Sequence, residues 1–325
     1  MNIIRLLNRS LSTTIFLNVV FVSLWLMSAF WLKTEKNSAE ITIFHSISFF
    51  SLPYFWGVIT QLICFVLIAF FTYRAIFLQY LTSTTYLPFS VLMCFGTFFE
   101  STHLFGNQTF ATIFFVLALW QFIKIDTRSD NSAVVLNTFL LLIASAFFVP
   151  EFIYFVPVFI FGFFYFIEVK FKTLILMIFS ISMPILSAFC VCFLIDRVDL
   201  FSDFFVKLFD FNFTINIRIF EARIFIYAAI SIILVLISLF FLWHNIKNIK
   251  FQTRRFTLFF VILWLSIIFL FMFLQNDFSY FILTYIILVS FFISLNFTNL
   301  QPKKIKLKKL KNKRRKLKRK KIIYN

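Results

Sequence analysis

Apolar runs of about 20 residues recur along this chain from residue 11 to residue 298, separated by short polar segments. A helix needs about 20 apolar residues to cross the roughly 30 Å of hydrocarbon in a bilayer. We therefore predict an all-α fold, a polytopic transmembrane helical bundle of about ten spans in residues 1–300, followed by a basic cytosolic tail in residues 301–325. The predicted spans are 11–32, 54–73, 77–98, 108–124, 133–149, 152–168, 173–195, 224–243, 256–274 and 279–298.

Composition excludes a water-soluble fold. Only 14% of the 325 residues are charged and 62% are hydrophobic, with a mean hydropathy of +0.96. Soluble domains are about one-quarter charged, so lipid must be the solvent for most of this surface. The 56 phenylalanines fit that reading, because phenylalanine is a suitable lipid-facing residue.

Lysine and arginine in the loops predict the orientation, because cytoplasmic loops carry an excess of both. With the N-terminus inside, 11 of these residues fall in cytosolic segments and 6 in outer segments. The remaining 14 of the 31 lie in the tail, which an even number of spans also places inside. We therefore expect a multi-pass protein of the cytoplasmic membrane with both termini in the cytoplasm.

The segment 196–223, on the predicted outer side, carries aromatic and aliphatic side chains at helical spacing. These are Phe201, Phe204, Phe205, Leu208 and Phe211, with charged residues between them. Such a pattern predicts an amphipathic helix in the outer interface. Two roles stay open for it, since it either caps the bundle or guides a substrate.

Acidic residues also mark the outer side as the place for chemistry, because ten of the thirteen fall there. Glu40, and after it Glu35, is the candidate general base in the first outer loop. Glu100 and His103 are three residues apart and share a face if helical, so they form a candidate substrate-binding pair. Cations that could neutralise a lipid phosphate are Lys36, Arg197, Arg218 and Arg223. No metal-ligand spacing or cofactor motif occurs, so no metal or cofactor is expected.

The tail contains fourteen cations and no acid. Its predicted surface-binding residues are Lys303, Lys304, Lys308, Lys309, Lys313, Arg314, Arg315, Lys316 and Arg319. Anionic lipid headgroups attract such clusters, and ribosomal RNA or another polyanion would do so too. A disordered topology anchor is the third reading. The tail lacks interleaved aromatic residues, which argues against sequence-specific nucleic-acid recognition.

Two resemblances rest on particular stretches of sequence. The first outer loop, with its acids, and four later stretches resemble the GT-C class of glycosyltransferases. The later stretches are Asn107-Gln108-Thr109-Phe110, Leu119-Trp120-Gln121-Phe122, Asp126 and Phe148-Val149-Pro150-Glu151. That class implies a catalytic acid in the first outer loop and a polyprenyl-phosphate-linked sugar docked from the membrane. The stretch from Asn107 to Leu194-Ile195-Asp196-Arg197 resembles an uncharacterised family of Bacteroidota-type inner-membrane proteins. That family implies a bacterial inner membrane location and no established activity.

These observations leave two hypotheses of different kinds. One is a GT-C-like transferase that uses a polyprenyl-phosphate-linked sugar on the outer face. The other is a non-catalytic membrane subunit of an envelope or secretion assembly, with a tail that binds lipid, the ribosome or a membrane-complex partner. A transporter is disfavoured, because transporters place ionisable residues deep in their spans and this sequence holds almost none there.

Overall fold

The structure is a computed structural model of the full chain. It describes residues 19–27, 39–43, 47–78, 92, 96, 102–103, 105–125, 131–168, 170–209, 222–244, 251–273 and 278–299. Helices dominate these residues, as the sequence predicts.

Residues 19–27 are helical, and a two-stranded hairpin follows, formed by β1 (Ala39–Ile43) and β2 (Ile47–Leu52). Nine helices labelled α1 to α9 then appear among the described residues, with one 3-10 helix (Pro150–Phe155) between α3 and α4. Their bounds are α1 (Tyr54–Leu78), α2 (Asn107–Ile123), α3 (Ser132–Phe148), α4 (Val156–Phe166), α5 (Phe171–Leu194), α6 (Val198–Phe209), α7 (Ala222–His244), α8 (Phe251–Phe273) and α9 (Phe278–Asn299).

Three helical stretches are long and apolar enough to cross a membrane: Phe55–Arg74, Phe171–Leu194 and Thr253–Phe271. They fall on the predicted spans 54–73, 173–195 and 256–274, and identify a membrane protein. Shorter apolar helices occupy five further predicted spans, at Asn107–Ile123, Ser132–Phe148, Pro150–Phe166, Ala229–Phe241 and Phe281–Ile293. Most of the predicted spans 11–32 and 77–98 lies outside the described residues, so the count of ten stays a prediction.

Ring contacts define the direction of neighbouring helices. The rings of Phe110 and Phe148 are 5.2 Å apart, which joins the start of α2 to the end of α3. Phe122 stacks on Phe259 at 4.3 Å, which joins the end of α2 to the early part of α8. Helix α2 is therefore antiparallel to both α3 and α8.

Helices α1 and α2, in contrast, run parallel. Gln61 near the start of α1 bonds Thr109 near the start of α2, and further along the rings of Phe71 and Trp120 are 5.5 Å apart. Residues 79–106 separate α1 from α2, which is long enough for a connection that returns along the bundle, and they overlap the third predicted span, 77–98.

Phenylalanine rings fill the core of the bundle. Phe122 of α2 is fully buried, and its ring lies 5.0 Å from Phe163 of α4 and 5.3 Å from Phe159. Gly162 lies against the same stack, close to Phe122 and Phe259. Edge-to-face and offset ring pairs of this kind stabilise a core beyond the apolar area that they bury.

Helices α9 and α5 show the two extremes of burial. All described side chains of α9 from 281 to 293 are buried, so α9 is enclosed by its neighbours. Helix α5 is only 17% buried and exposes Phe171, Ile178 and Leu194. An apolar surface of this size in water would drive association, so we assign it to the lipid-facing side of the bundle.

The hairpin departs from the expected all-α fold. In β1, Ala39, Ile41 and Ile43 alternate with Glu40 and Thr42, which is the period of a strand. The strands are antiparallel, with an irregular register between Ile41 and Thr42. The acids of this loop suggest a catalytic role, and they do not determine its conformation. The alternation of apolar and polar residues, together with the β-branched side chains, favours the strand.

Helix α6 lies where the phenylalanine spacing predicted a helix. Phe204 is 3% exposed and packs with Cys192 of α5, and Phe147 of α3 lies 6.5 Å from it, ring to ring. The side chains of Phe201 and Phe205 are half-buried in the same cluster. The sequence left two roles open for this helix, capping the bundle or guiding a substrate. Contacts of this kind are typical of a helix that caps one end of the bundle. Leu208 lies within α6, and Phe211 lies outside the described residues.

Candidate functional site

Four buried polar residues meet near the starts of α1 and α2, and we call them the polar cluster: Gln61, Thr102, His103 and Thr109. Each is at most 1% exposed. The Gln61 amide donates from Nε2 to the Thr102 carbonyl oxygen at 2.9 Å, and Oε1 accepts from the Thr109 hydroxyl at 2.6 Å. The Thr102 hydroxyl donates to the carbonyl oxygen of Gly96. Gln61 therefore ties α1 to α2 and to the segment that precedes α2.

These bonds account for a glutamine in an apolar helix. A buried amide without hydrogen bonds costs several kcal/mol, by order of magnitude, so it persists only where both ends are satisfied. The free energy that an interhelical hydrogen bond contributes in a membrane is modest, about 0.6 kcal/mol on average. Gln61 thus selects which helices associate more than it stabilises them.

His103 is enclosed within the protein. It is 1% exposed, and its ring lies 4.6 Å from the indole of Trp25 at an angle of 52°. Trp25 is fully buried and also stacks on Phe65 of α1 at 6.4 Å. The predicted partner of His103, Glu100, lies outside the described residues. The paired role of these two residues stays a prediction.

The hairpin brings Glu40 to the same end of the bundle. Glu40 pairs with Ser51, and Ala39 pairs with Leu52, two residues before α1 begins. Strand β1 also contacts α2 and α3. The backbone of Glu40 therefore lies near the start of α1, which is also where the polar cluster forms.

A second carboxylate, Glu151, lies at this end and was not among the predicted site residues. It is 5% exposed, at the start of the 3-10 helix that follows α3. The next residue, Phe152, packs against Phe115 of α2 at 5.7 Å. The sequence places Glu151 among the outer acids and in a stretch that resembles the GT-C class, and its position after Pro150 and between two apolar runs could also have indicated a buried acid.

Only some of the predicted phosphate-binding cations lie within the described residues. Arg197 is exposed at the end of α5, and its backbone N–H bonds the Cys192 carbonyl oxygen at 2.9 Å. Asp196 has a φ of 56°, and its N–H bonds Phe193, which together form a Schellman cap. Arg223 lies in α7, and Arg218 lies outside the described residues. Glu35, Lys36 and the tail residues 301–325 also lie outside them.

Basic side chains gather at the opposite end of the bundle, which we call the basic end. There the rings of Phe122, Phe166 and Phe256 form a triangle with separations of 5.6, 4.4 and 6.5 Å. This triangle joins the end of α2, the end of α4 and the start of α8. Five cations lie within six residues of these rings in the sequence, and Arg74 lies near the end of α1, which is on the same side of the bundle. The six are Arg74, Lys124, Lys170, Lys172, Arg254 and Arg255.

Two of these cations lie on aromatic rings. The Arg255 guanidinium donates to the Tyr165 carbonyl oxygen and lies 4.8 Å from the Tyr165 ring centre. Lys124 lies 4.4 Å from the Trp120 ring centre and donates to the Gln121 side-chain oxygen at 3.0 Å. Cations on tyrosine and tryptophan are typical of a membrane–water interface.

A cavity of about 20 Å³ lies inside the bundle, between α1, α2, α8 and α9. Its lining consists of Thr72, Val116, Leu119, Ile123, Phe260, Ile287 and Phe291. A water molecule needs roughly 10–15 Å³, so this space is the size of one solvent molecule and far below that of a sugar or a lipid headgroup.

Comparison with known proteins identifies no relative: no protein-family model, no curated protein and no solved structure matches the chain.

Proposed function

We propose that the chain is a ten-span protein of the bacterial inner membrane, with both termini in the cytoplasm, which serves as a non-catalytic membrane subunit of an envelope or secretion assembly. The observation that carries this proposal is the separation of charge between the two ends of the bundle. Six of the nine described cations lie at the basic end, with Glu168. The other three, Arg197, Lys207 and, in the predicted topology, Arg223, lie toward the other end with Glu40, Glu151, Asp196, Asp199 and Asp203. The positive-inside rule then assigns the basic end to the cytoplasm.

Dense packing of the described core supports a structural role. The rings around Phe122 contact one another at 4.3–6.5 Å. The cavity nearby has room for a single water molecule. Interiors packed in this way resist deformation, which suits a protein that holds partners at fixed positions in the membrane.

The tail provides the means of attachment on the cytoplasmic side. Its fourteen cations follow directly after the last predicted span. Each cation near an anionic bilayer surface contributes about 1 kcal/mol of attraction. Anionic headgroups are therefore its first partner, with the ribosome or a cytosolic component of the assembly as the alternative.

Cysteine labelling tests the orientation. In a variant without the four native cysteines, Asp199→Cys should react with a membrane-impermeant maleimide on intact cells, because Asp199 is exposed at the outer end. Lys170→Cys should react only after permeabilisation. The reverse pattern would contradict the proposed orientation and with it the cytoplasmic tail.

Purification with partners tests the subunit role. Deletion of residues 303–325 should remove proteins that co-purify with the full chain. A variant of unchanged length, with the nine predicted surface-binding cations replaced by glutamine, separates the effect of charge from that of length. An identical set of partners in all three samples would exclude the tail from assembly.

A GT-C-like transferase is the second candidate, and the placement of β1 favours it. Glu40 is the second residue of a strand beside the starts of α1 and α2, at the end that also contains His103 and Glu151. In such a reaction, the carboxylate of Glu40 takes the proton of an acceptor hydroxyl as the polyprenyl phosphate leaves the sugar. Arg197, Arg218 or Arg223 would neutralise the departing phosphate.

Consumption of a polyprenyl-phosphate-linked sugar tests this second candidate. Glu40→Gln should lower turnover at least about 100-fold if the carboxylate is a general base, and Glu35→Gln tests the other acid. Glu168→Gln is the matched control, since Glu168 is exposed at the basic end. Unchanged turnover in both outer variants would exclude this assignment.

A further inference from the structure

The basic end contains cations from three helices whose ends are brought together by buried rings. Phe122, Phe166 and Phe256 lie within 6.5 Å of one another. Lys124 follows the first of these by two residues, and Arg255 directly precedes the third. The bundle itself therefore fixes the mutual positions of charges that are distant in the sequence.

Arg255 is the best-positioned charge of this group. Its guanidinium is half-buried and lies 4.8, 5.3 and 5.4 Å from the ring centres of Tyr165, Phe166 and Phe251. One terminal nitrogen donates to the Tyr165 carbonyl oxygen. A guanidinium has five N–H donors in a planar fork, so this contact orients the group and leaves further donors for a phosphate.

Four more cations lie within six residues, along the sequence, of Phe122, Phe166 or Phe256. Lys124, Lys170, Lys172 and Arg254 are exposed. Glu168 is the acid of the described residues at this end, and it is exposed as well. Among the described residues, this end therefore carries six cations and one acid.

Apolar side chains lie next to these charges. Phe251 is 67% exposed and Phe171 is 78% exposed, each within four residues of the cations. Charge beside exposed apolar surface matches a ligand with an anionic head and hydrocarbon chains. A free anion would use the charges and leave these rings exposed.

We propose that the basic end is a binding site for one anionic phospholipid, whose phosphate contacts Arg255 and Lys124 and whose acyl chains lie along Phe251 and Phe171. The site is separate from the tail, because it belongs to the folded bundle. It depends neither on the orientation of the chain nor on the subunit role proposed above. Lys170 and Lys172 add attraction at the entrance to the site.

Lipid titration of the purified full chain in neutral detergent tests the proposal. Native mass spectrometry should show saturable retention of one phosphatidylglycerol, and phosphatidylcholine of the same chain length should be retained at least tenfold more weakly. Arg255→Gln should weaken phosphatidylglycerol binding about tenfold, because charge-assisted hydrogen bonds to the phosphate are lost. Because the tail itself attracts anionic headgroups, every sample, including the reference chain, carries the nine glutamine substitutions in the tail, so that the retained lipid reports on the bundle.

Two further variants keep the test decisive. Arg255→Lys keeps the charge and removes the fork, so it should weaken binding less than Arg255→Gln does. If Arg255→Gln does not fold, Lys124→Gln provides the same comparison from the exposed side. Lys207→Gln, in α6 at the other end of the bundle, is the matched control and should bind as the reference chain does.

Three results would overturn the proposal. The first is equal affinity of the reference chain for both lipids. The second is an equal loss of affinity in the Lys207 and Arg255 variants. The third is displacement of bound lipid by millimolar inorganic phosphate, since that would identify a site for a free anion.

Discussion

Gly162 offers the sharpest test of the phenylalanine core. A Cβ atom at this position would lie 2.6 Å from Cε2 of Phe259 and 2.7 Å from Cζ of Phe122. Carbon atoms in ordinary contact are about 3.5–4.0 Å apart, so each ring would have to move by roughly 1 Å. Both rings are buried and stacked on each other at 4.3 Å, which leaves them little freedom to do so.

Gly162→Val should therefore destabilise the protein by about 2–3 kcal/mol, the upper part of the range for overpacked cores. The better helix propensity of valine recovers only a few tenths of that. Gly106→Val is the matched control, because no atom lies within 4 Å of a Cβ there and its φ of −170° suits any residue. Its cost should stay below about 1 kcal/mol, from a weaker N-cap.

Unfolding in detergent, followed by tryptophan fluorescence during denaturant titration, measures both variants. Phe259→Ala in the Gly162→Val background makes room for the new side chain, so the double variant should lose less stability than the sum of the two single ones. Equal stability of Gly162→Val and Gly106→Val would refute the proposed packing. Strict additivity in the double variant would refute the assignment of the clash to Phe259.

Two further predictions concern interhelical hydrogen bonds. Gln61→Leu should lower the free energy of unfolding by about 1–3 kcal/mol, because it leaves the buried Thr102 carbonyl without the amide donor. Adding Thr109→Val should cost little more, and a full second loss in the denaturant titration would contradict the bond between the two side chains. The buried hydroxyls of Ser231 and Tyr285 are 2.7 Å apart, so Ser231→Ala and Tyr285→Phe should each cost about 0.6–1.7 kcal/mol. A double variant that loses the sum of both would show that they do not interact.

Helix positions could be predicted because the signal is local. Twenty apolar residues specify a membrane-crossing helix without reference to the rest of the chain, and α5 falls on its predicted span to within two residues at the start. The hairpin has an equally local signal in the alternation of Ala39–Ile43. The hairpin was not predicted from the sequence, because the charged residues of that loop suggested a site and the two-residue period of its apolar residues was not considered.

Pairings between distant residues could not be predicted. No residue near Gln61 in the sequence indicates that the hydroxyl of Thr109, 48 residues later, donates a hydrogen bond to it. The sequence also does not indicate that α1 and α2 run parallel. His103 had the appearance of a polar loop residue, yet it is 1% exposed and its ring lies against Trp25. The burial of Glu151 depends on how α2 and α3 meet, which the apolar runs beside it suggest but do not determine.

The polar cluster imposes an order on synthesis of the protein. At 5–20 residues per second, Thr109 is made roughly 2–10 s after Gln61, so the Gln61 amide is made before its hydrogen-bonding partner. The contact between Trp25 and Phe65 needs only residues that are made earlier, so it can form between α1 and the first helix without Thr109. Until the segment with Thr102 and Thr109 packs against α1, the Gln61 amide lacks its native hydrogen bonds, which costs free energy in an apolar environment.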